Sequence, residues 1–504
     1  MVSETLPLTT IGIIIIISII FSIFVKKLGQ NEVIGFIIAG FLLGPFGLGF
    51  LKPTDELVIG FAELGLFVLL FYLGIELSIK EFLASGFSII GLALVDMILT
   101  TGLGVSVMLL LGYDLMFAII VGIMLFCTST AIVAKFILNN NLIENRAAKT
   151  SISILILQDF LGILLLVFVT SFSSKSGSVI DLGITAIVFA VASFYAIYHL
   201  SRIVEEWLKN NDFSHTEMTL YALGVGLITA TLANLIGLSS TIGAYFAGFA
   251  LSETESGNKI KKDVGFLRDF FLVFFFVGFG TTLFFDTEIG KVVIPELNKL
   301  IYIIVLAIGL SSLAILAHSI SARVLGKVFN LTEDDSSLMA ILLSPLGEFV
   351  VIIATVTAGI LSTAEKSIIG PLAFLLIIVT LLIFQPLYKF RSIHKKIFAV
   401  LPQVKEPELG KKIVIEKTST IKNLQDFIIN LIVVICFAKI TIILYEKIPS
   451  LGIPITNSRE ITAVLIFTFF AAIPLRKTLK SLLLLTKEFE KTKHNTTNKE
   501  NKKL

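Results

Sequence analysis

Residues 149–172 read KTSISILILQDFLGILLLVFVTSF, a run long enough to cross a bilayer with a single acid, Asp159, at its middle. A spanning helix needs about 20 mostly apolar residues, and an ionisable group inside one costs roughly 2.5–3.5 kcal/mol on insertion scales. Asp159 lies about halfway along this run, preceded by Gln158 and by the hydroxyls of Ser151 and Ser153. A carboxylate at that depth is neutralised by a proton, a cation or a basic partner. The bland alternative is a protonated Asp hydrogen-bonded within a helix bundle. The functional one is an acid that alternates between proton and metal ion, the minimal chemistry of an exchanger.

The rest of the chain resembles this run. Of its 504 residues 56% are hydrophobic and only 15% charged, and the mean hydropathy is +0.96. Soluble chains are roughly 45–50% apolar and about 25% charged, so the excess belongs in lipid. Spans are predicted near 8–26, 32–50, 57–79, 86–111, 114–137, 148–172, 179–203, 216–236, 239–253, 263–286, 299–327, 336–361 and 370–390, thirteen in all. Two additional transmembrane helices are predicted near 424–446 and 460–480. The resulting division is an exchanger-sized membrane domain over 1–396, a polar linker over 397–423, the two added helices over 424–482 and a basic polar tail over 483–504.

Charge fixes the expected orientation. Lys26, Lys27, Arg146, Lys149, Arg202, Lys259, Lys261, Lys262, Arg323, Lys389 and Arg391 gather on one side of such an arrangement. Lys52, Lys175, Lys291, Lys299 and Lys366 are left for the other. By the positive-inside rule the N-terminus is outside and the C-terminus cytoplasmic. Glu4 ahead of the first apolar run and Lys26-Lys27 behind it reverse the order of a cleavable signal. Cys127 and Cys436 are isolated within apolar runs, giving neither a disulfide framework nor zinc spacing.

The other ionisable groups inside predicted spans are Glu63, Glu76, Asp96, His318, Glu348 and Lys439. Glu63, Glu76 and Asp96 are expected close enough to span ends to be solvated, and His318 is read as a structural histidine. Cys127-Thr128-Ser129-Thr130 interrupts one apolar run, and Ser344-Pro345-Leu346-Gly347-Glu348 interrupts another. Hydroxyls can cap a broken helix and offer oxygen to a hard cation, although a Ser/Thr packing seam would look the same. Proline removes a backbone donor. Two breaks in two halves of a chain point to an inverted-repeat transporter with a midplane site.

An ordered set of motifs runs through residues 8–395: GFIIAGFLLGPFGLG (Gly35 to Gly49), AELGLFVLLFYLGIEL (Ala62 to Leu77), TSTA (Thr128 to Ala131), LILQDF (Leu155 to Phe160), GLSSTIGAYFAG (Gly237 to Gly248), FFFVGFG (Phe274 to Gly280) and GEFV (Gly347 to Val350). In these the chain resembles the monovalent cation:proton antiporter-2 family, which includes Kef-type potassium efflux systems and related sodium/proton exchangers. The resemblance implies an all-α polytopic membrane protein with the thirteen-helix sodium/proton-antiporter fold, inverted repeats and two crossed discontinuous helices. It also implies a homodimer, with Asp159 carrying ion and proton. Gln158 fills the first position of the family's acidic pair, as in Kef-type members, which fits an electroneutral cycle.

On that basis Asp159, Gln158, Thr128, Ser129 and Thr130 form the expected ion and proton site, with Glu348, Glu76 and Ser153 in support. The expected partners are Na+ or K+, H+ and the lipid bilayer, with no nucleic acid, no cofactor and no resident metal. The chain departs from the family in two ways. The span 299–327 has no lysine in its body, and no Gly-x-Gly-x-x-Gly fingerprint follows residue 397, so no nucleotide-binding domain is expected. The expected location is a prokaryotic plasma membrane. A gated potassium efflux channel on the same scaffold is the alternative, although channels usually show a filter or charge ring. An intramembrane aspartyl protease would need two apposed aspartates, only Asp96 is available to partner Asp159, and the Gly-x-Gly-Asp signal is absent. No enzyme is expected.

Overall fold

The computed structural model describes residues 7–27, 30–76, 86–171, 179–211, 215–286, 290–293, 295–326, 332–391, 419–445 and 463–481. The expected linker, apart from 419–423, and the expected tail lie outside these residues. In chain order the helices are α1 (Pro7–Lys27), α2 (Glu32–Leu43), α3 (Glu56–Glu76), α4 (Gly86–Leu110), α5 (Leu115–Phe126), α6 (Thr130–Asn139), α7 (Arg146–Ser171) and α8 (Val179–Asn210). They continue with α9 (His215–Leu235), α10 (Ser240–Ser252), α11 (Gly257–Thr282), α12 (Leu297–Gly326), α13 (Glu333–Leu342), α14 (Phe349–Thr357), α15 (Thr363–Lys389) and α16 (Ser419–Tyr445). A last helix, α17, covers 463–481. The strands β1 (Phe285–Asp286) and β2 (Lys291–Val292) pair antiparallel between α11 and α12.

Ten of the described helices are long and apolar enough to cross a membrane. Four apolar helices are shorter: α2, α5, α6 and the stretch Phe349–Ile360, in which a 3₁₀ turn (Ala358–Ile360) extends α14. Helix α16 supplies one of the ten over Asp426–Ile443, whereas α17 is not among them. Arg476, Lys477 and Lys480 load its last turns with charge.

The chain divides into two compact units. Met1–Lys175 and Lys259–Pro407 make the first, Ser176–Asn258 and Glu408–Leu504 the second. In the first unit a buried cluster joins α6 (Val133, Phe136, Ile137), α7 (Ile154, Leu155, Leu157), α13 (Met339 to Leu342) and Phe384 of α15. Packing of this kind, and not propensity, holds short helices in place. Helices α2 and α11 approach closely through glycine, since a Cβ at Gly40 would collide with the Val277 carbonyl and one at Gly280 with that of Ile37. Two of the motifs read from the sequence are therefore the two sides of one backbone contact. In the second unit α16 packs on α8 through Val188, Ala192, Val433, Cys436 and Phe437, with Phe467 and Phe470 of α17 alongside.

Local chemistry sets the helix starts. The Asn31 side chain accepts from the Val33 N–H at 3.0 Å to cap α2. Ser362 and Glu365 form a capping box at α15, and the Ser362 N–H donates to Glu365 at 2.9 Å.

Candidate ion-binding site

Two helices of the first unit are broken in mid-run. Between α5 and α6 the backbone is extended at Cys127 (φ −80°, ψ 90°) and at Ser129 (φ −90°, ψ 105°). The Ser129 hydroxyl caps α6 by accepting from the Ile132 N–H at 3.4 Å. Between α13 and α14 the chain leaves the helix from Leu343 to Glu348, where Pro345 has no N–H to offer.

The two unwound stretches pair with each other. Thr128 and Leu346 form an antiparallel bridge. The Ser129 N–H donates to the Pro345 carbonyl at 2.8 Å, and the Gly347 N–H donates to the Cys127 carbonyl at 3.1 Å. The Leu346 N–H donates to the Thr380 hydroxyl of α15 at 3.1 Å. Backbone groups that a break leaves open are thus satisfied inside protein, the condition for irregular chain at membrane depth. Gly347 is required at the crossing because a Cβ there would stand 2.9 Å from the Ser129 Cα.

Helix α7 runs beside this crossing and presents two adjacent polar residues to different partners. Asp159 keeps part of its surface exposed, and its Oδ2 accepts from the Thr130 hydroxyl at 2.8 Å. Thr130 opens α6, so the carboxylate is tied to the N-terminus of a half-helix, where partial positive charge favours an anion. Glu348 occupies the corresponding N-cap of α14 without a capping bond, and among the described residues its buried Oε2 has no hydrogen-bond partner. Gln158, 1% exposed, accepts from the Thr128 hydroxyl and donates from Nε2 to Asp96 Oδ2 at 2.7 Å.

Of the expected site residues, the structure brings Thr130 to Asp159 and Thr128 to Gln158, while Ser129 serves as a helix cap. Ser153 donates to the Lys149 carbonyl of its own helix at 3.2 Å and does not reach Asp159. Glu76 is exposed at the end of α3 and pairs with Lys261 at 3.1 Å. Glu63 is exposed and lines a cavity of about 400 Å³ bounded by α3, α11, α14 and α15, with Lys299 and Lys366 also in its wall. Asp159 does not line that cavity.

Asp96 is a correction. The sequence places it near a span end and solvated, yet it is 0% exposed and accepts from three side chains. Helix α4 begins at Gly86, which puts Asp96 about 15 Å along the helix axis, near the depth of a bilayer midplane. His318, also 0% exposed, is its partner at 3.0 Å through Nδ1. Ser321, one turn on, donates to the same carboxylate. Counting residues inward from the helix start and noting His318 and Ser321 on one face of α12 would have flagged the pair.

Among the described residues no three His, Cys, Asp or Glu side chains gather as a metal-holding group. What the crossing offers is the Asp159 carboxylate with the Thr130 hydroxyl on it and the Glu348 carboxylate at the N-cap of α14, oxygen chemistry suited to a hard monovalent cation or a proton.

Comparison with known proteins fits this geometry. The family model described as "Sodium/hydrogen exchanger, transmembrane" matches residues 12–389. The putative cation/proton antiporter YbaL of Escherichia coli (strain K12) is 28% identical over 76% of this chain and 69% of its own length. The ammonium/H(+) antiporter subunit AmhT of Alkalihalophilus pseudofirmus is 26% identical over 69% of this chain and 86% of its own. K(+) efflux antiporter 1, chloroplastic, of Arabidopsis thaliana is 27% identical over 71% of this chain but only 30% of its own length. The solved structure of the sodium proton antiporter MjNhaP1 from Methanocaldococcus jannaschii covers 77% of this chain with a TM-score of 0.57 at 17% identity, a likeness of fold.

Proposed function

The chain belongs to the sodium/hydrogen exchanger transmembrane family, and from that premise we propose that it exchanges a monovalent cation, Na+ or K+, for H+ by alternating access. Asp159 is the shared site. The observation that carries this is the Thr130–Asp159 hydrogen bond, which sets a partly exposed carboxylate at the crossing of two unwound helices.

Deprotonated, Asp159 binds a partly dehydrated cation with oxygen from Thr130 and the Thr128–Ser129 stretch. Protonated, it releases the cation, because one carboxylate cannot hold both. Either occupant neutralises the group, so the core can move across the bilayer without a bare charge, while the empty carboxylate is held back by desolvation. Gln158 adds a carbonyl but no second charge. One negative charge then balances one proton or one cation, and the cycle is electroneutral.

The remaining architecture is part of the same proposal. Thirteen spans over 1–396 run N-out to C-in as inverted repeats, in a homodimer, with α16 and α17 as an addition. The cavity beside Glu63 is the outer half of the pathway. Asp159 is partly exposed without lining it, so a separate inner half of the pathway serves the carboxylate.

The test is exchange in proteoliposomes carrying an imposed pH gradient and a lumenal pH dye. Na+, K+ or Li+ is added to wild type and to Asp159→Asn. A saturable response lost in the variant supports the assignment, and the order of ions names the substrate. Retained pH-dependent exchange in Asp159→Asn sinks the carrier role, and a non-saturating conductance without proton counterflow favours a gated channel.

A further inference from the structure

Gln158 has one carbonyl and one NH2, and which of them faces the crossing decides whether the site offers oxygen or N–H there. The neighbour that settles this is Asp96. Its carboxylate is acceptor-only and lies 2.7 Å from the Gln158 Nε2. With the NH2 taken on that side, the carbonyl is turned towards Thr128, whose hydroxyl donates to it. We propose that Asp96 is a positioning residue for cation binding, fixing the amide of Gln158 so that carbonyl oxygen, and not N–H, stands beside the Thr128–Ser129 stretch. This rests on the exchange role assigned to the site above.

The surroundings of Asp96 fit that task. His318 Nδ1 lies across both Asp96 oxygens, 3.0 Å from Oδ1 and 3.1 Å from Oδ2, and the Ser321 hydroxyl donates to Oδ1. Both donors come from α12, and Oδ2, which His318 Nδ1 also approaches at 3.1 Å, accepts the Gln158 amide of α7. Those two donors leave the carboxylate with acceptor capacity to spare. The third, the Gln158 amide, links the pair to the crossing. Asp96, His318 and Gln158 are each at most 1% exposed, so no solvent competes for these bonds. A flipped amide would set its NH2 beside Thr128 and put positive hydrogens where a cation needs lone pairs.

The test uses the full chain in two measurements. One is the KM and maximal rate of Na+ and K+ exchange in proteoliposomes. The other is the rise in melting temperature that the same ions give the purified protein. Asp96→Ala, which leaves no acceptor, should raise the cation KM at least tenfold, keep the maximal rate within about threefold, and abolish the ion-dependent rise in melting temperature. Asp96→Asn keeps one acceptor oxygen and should hold KM within about threefold. His318→Asn, which keeps an N–H near the Nδ1 position, should behave as wild type, whereas His318→Leu should raise KM.

In a Gln158→Met background, with no amide to orient, Asp96→Ala should change KM by no more than about twofold. An unchanged KM in Asp96→Ala, or an equal further loss in the Gln158→Met background, overturns the positioning role. If Asp96→Ala does not insert, the His318→Asn and His318→Leu contrast decides, and equal KM values in the two overturn it. Ion-dependent melting without exchange would remove the exchange assignment while still testing Asp96 by binding. The absence of both would overturn both.

Discussion

The Thr130 hydroxyl donates to the Asp159 carboxylate over 2.8 Å, joining the first residue of a half-helix to the acid of the neighbouring span. The bond makes the position of the carboxylate depend on the helix break. Anything that moves the crossing moves the acid.

Thr130→Val removes the hydroxyl with little change in volume. A hydrogen bond to a charged group contributes about 1.5–3 kcal/mol, so cation affinity should fall about 10- to 100-fold. Thr130→Ser should restore most of it. Initial rates across a cation titration check both variants, and equal KM values for Val and Ser would remove Thr130 from the site.

Gly347→Ala places a Cβ 2.9 Å from the Ser129 Cα, against backbone that cannot swing aside. Overpacking of this kind costs about 1–3 kcal/mol. The crossing should open, the melting temperature should fall and exchange should be lost. A variant with wild-type melting and wild-type exchange would mean that the two stretches tolerate separation.

Thr380→Val leaves the buried Leu346 N–H without its acceptor. An unsatisfied buried donor costs about 1–3 kcal/mol. Thr380→Ser keeps the oxygen and should melt near wild type, with Val clearly below both. The comparison isolates support of the broken helix from contact with the ion, because among the described residues the Thr380 hydroxyl bonds backbone groups only.

Competition at one carboxylate predicts a pH signature. While the empty site is mostly protonated, each unit of rising pH should lower the cation KM about tenfold, because one proton leaves for each cation bound. Once the empty site is mostly deprotonated, KM should become flat. Initial rates measured from pH 6 to pH 9 give the slope. A slope near two would require a second titrating group and contradict the single-carboxylate cycle.

Much of the fold was legible because a bilayer constrains sequence more strongly than water does. A run such as 8–27, with almost no charge over twenty residues, belongs in lipid, and proline and glycine at 345 and 347 mark a break by backbone chemistry alone. Asp159 was legible for the same reason, as an acid too deep to reach either surface. Asp96 was not. The predicted span already starts at 86, where α4 starts, but the partners that bury the carboxylate, His318 and Ser321, lie more than two hundred residues away in the chain. Ser153 misled in the opposite sense, since a hydroxyl near an acid in sequence can satisfy itself on its own helix, as it does at the Lys149 carbonyl.

The sequence by itself determined that this chain is a bundle of membrane helices with two breaks and a deep carboxylate, because hydropathy, charge bias and backbone-breaking residues are local properties. Only the tertiary structure decided that the two breaks pair through Thr128 and Leu346, that Thr130 and not Ser153 holds Asp159, and that Gln158 is turned by Asp96. Hydrogen bonds are directional and short, so the choice of partner is made by which helix faces which. Packing sets that, and no single stretch of sequence contains it.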